Sequence, residues 1–185
     1  TLFRSDIMIS DDTSKIYVCG IKFKIIHTPG HSPAHICIVT PDDVAYLGDA
    51  LISYEVMKGA KMPYAFILRE DLKSKVKLYD LKCANYVVAH KGIYKDNEIT
   101  KLIDDNIEFY KKRAYKIYEI INGKMTMEEI LKEVIKEFNI PVKTQYKYST
   151  LERMLRSYVE YLNETGRIAV SMEDGFLKYS KCDEI

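Results

Sequence analysis

The chain has 185 residues, with 28 Lys and Arg against 27 Asp and Glu, giving a formal net charge of +1. That balance excludes a global attraction to nucleic acid, which shows as a basic excess or a basic stripe, and no apolar run approaches the ~20 residues a membrane helix needs. With 47% hydrophobic and 30% charged residues the composition is that of a globular protein, long enough for one ordinary domain and a small appended unit.

The opening residues Thr1-Leu2-Phe3-Arg4-Ser5-Asp6 lack the pattern of a secretory leader. Cys19, Cys37, Cys83 and Cys182 form no Cys-x-x-Cys pair and read as reduced thiols of a cytoplasmic protein. Short β-rich runs at 15–18, 22–27, 36–39, 44–47 and 86–89 predict five strands. Cys19-Gly20 and Pro41-Asp42-Asp43 are the punctuation that turns antiparallel strands around. A helix is predicted over 69–81, with Leu72, Val76 and Tyr79 on its inward stripe and Lys73, Lys75 and Lys77 off it. Tyr54, Lys58 and Tyr64 fall in the preceding loop and read as ordinary surface.

After Asp96-Asn97 a long helical pattern runs through Ile99, Leu102, Ile103, Ile107, Tyr110, Ala114 and Ile117 to Asn122-Gly123. Thr126-Met127-Glu128-Glu129 reads as a capping box, followed by the stripe Ile130, Leu131, Val134, Ile135 and Phe138. A second box, Ser149-Thr150-Leu151-Glu152, predicts a helix with Leu151, Met154, Leu155, Tyr158 and Leu162 inward, closed by Gly166. Two strands, 167–171 and 176–180, flank the hairpin signal Asp174-Gly175. The organisation predicted is a β-rich unit over 1–97 and a helical unit over 98–185.

Ligand chemistry gathers in His27-Thr28-Pro29-Gly30-His31-Ser32-Pro33-Ala34-His35, in Gly48-Asp49, and in His90 with Gly92. Imidazole suits zinc or iron, and one carboxylate can bridge two ions. His31, Asp49 and His90 each stand where a predicted strand gives way to a loop, so a rigid scaffold can make them converge. Any one of them alone would read as a structural residue.

Together these motifs resemble the metallo-β-lactamase superfamily, the αββα metallohydrolases that include glyoxalase II-like enzymes. The resemblance covers residues 15–92 and implies an α+β fold, the C-terminal half of an αββα sandwich followed by a winged-helix-like unit. By that resemblance His31 serves one metal, His90 the other, and Asp49 bridges them. His27 and His35 match non-ligand positions and are assigned to strand packing or to hydrogen bonds behind the ligands.

The family's H-x-H-x-D-H motif is absent, since no histidine precedes His27. Each ion would therefore have fewer than the three protein ligands of a catalytic zinc, and catalysis by this chain alone would be impaired. The implied cofactor is zinc, with iron or manganese as alternatives, or none in this chain. The implied partners are an N-terminal half or a second copy of the chain, and an ester, thioester, lactone or amide substrate.

The rival reading is a non-catalytic binding or assembly module. A winged-helix nucleic-acid binder using Lys143, Tyr146, Lys147, Tyr148, Arg153 and Arg156 is disfavoured, because residues 116–185 carry eleven Lys or Arg against twelve Asp or Glu.

Overall fold

The computed structural model describes residues 7–182; the leader reading at residues 1–6 lies outside them. Six strands form one sheet, β1 Lys15–Val18, β2 Ile21–His27, β3 Ile36–Val39, β4 Val44–Gly48, β5 Asn85–Val88 and β6 Gly92–Lys95. They lie in sequence order across it. Every neighbouring pair is antiparallel except β4 and β5, which run parallel. Parallel neighbours need a crossover, and here it consists of α1 Tyr54–Gly59, α2 Leu68–Lys77 and a 3-10 turn Leu78–Asp80. Then follow α3 Asp96–Ile120, α4 Met127–Glu137, α5 Gln145–Glu164 and the hairpin β7 Ile168–Glu173 and β8 Phe176–Lys181.

Residues paired across a ladder share a face of the sheet. One face carries Cys37, Ala45, Leu47, Tyr86 and Val88, all buried against the 3-10 turn and the first turns of α3. The other carries the row Ile25, Ile38, Tyr46, Val87 and Ile93. Within that row Tyr46 is 50% and Ile93 73% exposed.

Helix α3 belongs to both apolar clusters. Its Ile99, Leu102 and Ile103 pack with the sheet, while Tyr110, Ala114 and Ile117 pack with α4 and α5, and Ile107 touches both. Met62, Ala65, Leu68 and Leu72 from the crossover also join the helical cluster, so apolar packing continues across residue 97.

The structure corrects the sequence reading at four places. Strand β6 was not predicted: it is four residues long and turns its apolar Ile93 outward, so hydrophobicity does not follow its burial. The loop containing Tyr54 forms α1, started by Ser53, whose hydroxyl accepts from the Val56 amide. Helix α5 begins at Gln145 under a Thr144 cap, which places the expected box at Ser149 inside the helix. The fourth correction is on α2, where Val76 is 54% exposed and Lys75 is fully buried.

The cause of that last reversal is an ion pair one helical turn long. The Lys75 ammonium bonds the Asp71 carboxylate in the interior and lies 4.3 Å from the centre of the Tyr110 ring. Burial pushes the lysine pKa down and the aspartate pKa up, and each partner opposes the other's shift. Hydrophobic periodicity assigns every charge outward and cannot anticipate a charge neutralised inside.

The pair lies directly beneath Gly30. A Cβ on Gly30 would fall 2.1 Å from the Asp71 Cα, and its φ of +142° is one that side chains rarely adopt. The Gly30 carbonyl accepts from the amides of Phe66 and Ile67, and the Ser74 hydroxyl donates to the Pro29 carbonyl.

Two outcomes are expected in urea unfolding. Lys75→Ala, which leaves the Asp71 carboxylate buried and unpaired, lowers stability by about 3–5 kcal/mol, and Lys75→Met with Asp71→Leu restores most of it. Gly30→Ala costs about 3 kcal/mol or more, because backbone on both sides of the contact must move.

Candidate metal centre

Strands β2, β4 and β5 end, and β3 begins, at one edge of the sheet. The loops at that edge carry His31, Asp49 and His90. His31 Nε2 stands 3.9 Å from Asp49 Oδ2, and His90 Nε2 stands 3.3 Å from Asp49 Oδ1. The carboxylate thus lies between the imidazoles, one oxygen toward each. His31 and Asp49 are about one-third exposed, whereas His90 is 72% exposed.

His35 holds the Asp49 backbone from behind. The Asp49 amide donates to His35 Nε2 at 3.2 Å, so the ring proton sits on Nδ1 and is donated to the Thr28 hydroxyl at 2.8 Å. The hydroxyl proton is then free for Cys37 Sγ at 3.3 Å, whose thiol donates to the Leu47 carbonyl at 3.5 Å. This run of donors requires a neutral imidazole. Burial, then the nearby His31, lowers the His35 pKa in the same direction. Gly48 makes room for the arrangement, since a Cβ there would lie 3.0 Å from His35 Nε2.

His27 faces elsewhere and donates from Nε2 to the Thr13 carbonyl at 2.8 Å, joining β2 to the segment before β1.

His90 and Lys91 both have positive φ, +57° and +73°, in the turn between β5 and β6. Neither has the freedom of glycine, so the turn holds them against a local preference. Two contacts maintain it: the Ala89 amide donates to the Gly48 carbonyl at 2.9 Å, and the buried Ser53 hydroxyl donates to the His90 carbonyl at 3.1 Å.

Several residues that shape the site were missed in the sequence. Tyr64 sets its ring edge-to-face on His31, with centroids 5.0 Å apart. Asn106 of α3 clamps Ile52, three residues beyond Asp49, by accepting from its amide at 2.8 Å and donating to its carbonyl at 3.0 Å. An interior polar residue on the helical stripe was the one available signal for Asn106. For Tyr64 the signal was its place in the loop after Asp49, set aside because tyrosine is abundant at 15 residues, and Ser53 carried none.

Imidazole and carboxylate are fitting donors for zinc, iron or manganese. Their number is not sufficient: one imidazole and one carboxylate oxygen per ion is one protein ligand short of three. Among the described residues no group of three or more His, Cys, Asp or Glu is placed to hold an ion. What the structure shows at Asp49 is one carboxylate set between two imidazoles.

Comparison with known proteins bears on the fold. The family model of the metallo-beta-lactamase superfamily matches residues 12–90. A metallo-beta-lactamase family protein of Thermus thermophilus superposes with a TM-score of 0.71 at 18% identity, over 97% of this chain and 55% of its own. A beta-lactamase domain protein of Burkholderia ambifaria gives 0.66 at 14% identity, over 97% and 53%. A double mutant of the sec-alkyl sulfatase PisA1 gives 0.55 at 15% identity, over 90% and 27%.

The chain spans about half the length of the first two. A search of curated proteins finds no match. Among the described residues no helix is long and apolar enough to cross a membrane. With residues 12–90 matching the metallo-beta-lactamase superfamily and nearly the whole chain superposing on proteins of that family, this chain has the metallo-β-lactamase fold.

Proposed function

We propose that this chain supplies half of the metal centre of a metal-dependent hydrolase, with His31 serving one ion, His90 the other and Asp49 bridging. The observation that carries this reading is the approach of the two imidazoles to opposite oxygens of one carboxylate. The remaining donors come from an H-x-H-x-D-H segment outside these 185 residues. When bound, zinc, or iron or manganese in its place, supplies water activation and Lewis-acid polarisation of a substrate oxygen.

The chain's own residues orient the ligands. His35 fixes the Asp49 backbone, Ser53 fixes that of His90, and the Gly30 contact seats His31. The substrate class is an ester, thioester, lactone or amide in a cytoplasmic setting, with which four cysteines free of disulfides are consistent.

Helices α3 to α5 with the β7–β8 hairpin serve as a winged-helix-like packing unit over 98–185. Arg153 and Arg156 are exposed but share α5 with Glu152, Glu160 and Glu164, so a phosphate backbone gains little there.

A second reading, assembly with another copy without catalysis, is favoured by the open row Tyr46, Val87 and Ile93. Size-exclusion chromatography separates the two: a metal-free dimer at micromolar concentration supports the second reading and a monomer the first.

The chain's four histidines make the metal reading directly testable by imidazole NMR during zinc addition. His31 and His90 signals are expected to move together while His27 stays fixed, and Asp49→Asn is expected to abolish both responses. Zinc that leaves His31 and His90 unmoved would falsify the assignment. Adding a polypeptide with the H-x-H-x-D-H half is expected to raise zinc affinity at least tenfold and to yield ester or thioester hydrolysis; no gain in either counts against the missing half.

A further inference from the structure

We propose that Tyr64 is a positioning residue for His31, and that through it the C-terminal helices set the geometry of the metal centre. This rests on the reading of His31 as a ligand and adds the device that aims it.

A closed circuit of contacts leads away from His31 and returns to it. Its neighbour Gly30 sits on the Asp71 backbone, Asp71 pairs with the buried Lys75, and Lys75 lies over the Tyr110 ring. The Tyr110 hydroxyl then donates to the Tyr64 carbonyl at 3.1 Å, and the Tyr64 ring meets His31 edge-to-face at 70°.

A second anchor comes from α5, whose buried Tyr158 donates to the Pro63 carbonyl at 2.7 Å. Two tyrosines from two helices thus hold consecutive carbonyls, those of Pro63 and Tyr64, by hydroxyls whose rings are fully packed. Tyr64 itself is 37% exposed. Its backbone is held by these two bonds while its ring lies against His31. An aromatic edge against an imidazole restricts which way the ring nitrogens point, as partners behind a ligand do in metal sites generally.

The test compares Tyr64→Phe, Tyr64→Ala and Tyr110→Phe in the full chain, reading the His31 imidazole signals before and during zinc addition. Tyr64→Ala is expected to weaken the zinc response of His31 about tenfold and to average its side-chain rotamers. Tyr64→Phe keeps the ring and is expected to restore both readouts to the unaltered level. Tyr110→Phe keeps its own ring beneath Lys75 and is expected to shift the His31 signals through Tyr64 alone.

An unchanged zinc response and unchanged His31 signals in Tyr64→Ala overturn the proposal, as does a Tyr64→Phe chain as defective as Tyr64→Ala. Should zinc leave His31 unmoved in the unaltered chain, the ligand reading falls and the proposal with it. A response there that Tyr64→Ala fully preserves sinks the positioning role alone.

Discussion

Between Asp49 and α2 the chain leaves the sheet and is buried around Leu51 and again around Met62 and Pro63, where its amides and carbonyls must find partners. Side chains from α3 and α5 provide them. Asn106 takes both backbone groups of Ile52, Tyr158 takes the Pro63 carbonyl, Tyr110 takes that of Tyr64, and Ser157 accepts from the Leu68 amide. Each of these partners lies 46 or more positions away in sequence. The path of this segment is therefore a property of the packed helices, and the edge that carries Asp49 inherits its position from them. A buried Asn106 with no such backbone to bind would cost roughly 1–3 kcal/mol, which makes the clamp and the helix face mutually dependent.

At the candidate site the same economy uses one polar chain for two purposes. The run from the Asp49 amide through His35, Thr28 and Cys37 to the Leu47 carbonyl satisfies groups on three neighbouring strands and their loops. It also fixes the tautomer of His35. A protonated His35 would have no acceptor for the Asp49 amide to use, so the network and the positive charge exclude each other. The Nε2 lone pair of His35 is already committed to the backbone of Asp49.

The sequence made the ordered motifs legible because their local chemistry is short-range. Pro29-Gly30 and Gly48 mark turns whatever the tertiary fold, and Thr126 with Glu129 forms the box its spacing predicts. The stripe of α3 was readable for the same reason, as helical spacing decides burial when the residues are apolar.

What escaped depends on distant partners. Lys75 is inward because Asp71 and the Tyr110 ring await it, and Tyr64 matters because Tyr110 holds its carbonyl. Ser149 and Glu152 had the form of a cap, but Thr144 captured the helix start first and α5 gained an exposed opening turn bearing Tyr146. A local signal names a possible cap; competition along the chain decides which is used.

The open row of the sheet and the turn that carries His90 adjoin one another. Val87 and Ile93 pair across the β5–β6 hairpin on the open face of the sheet, and His90 stands in the turn between them. On the proposed reading, one added layer answers both needs: apolar side chains laid over Ile38, Tyr46, Val87 and Ile93 would bring their own loop ends to the exposed side of His90. A layer that covered the row without donors would leave each ion one ligand short. Donors without the layer would have to approach the 72% exposed His90 from solvent, unsupported by packing. On that reading apolar complementarity and ligand completion become a single requirement, joined by the hairpin that carries His90.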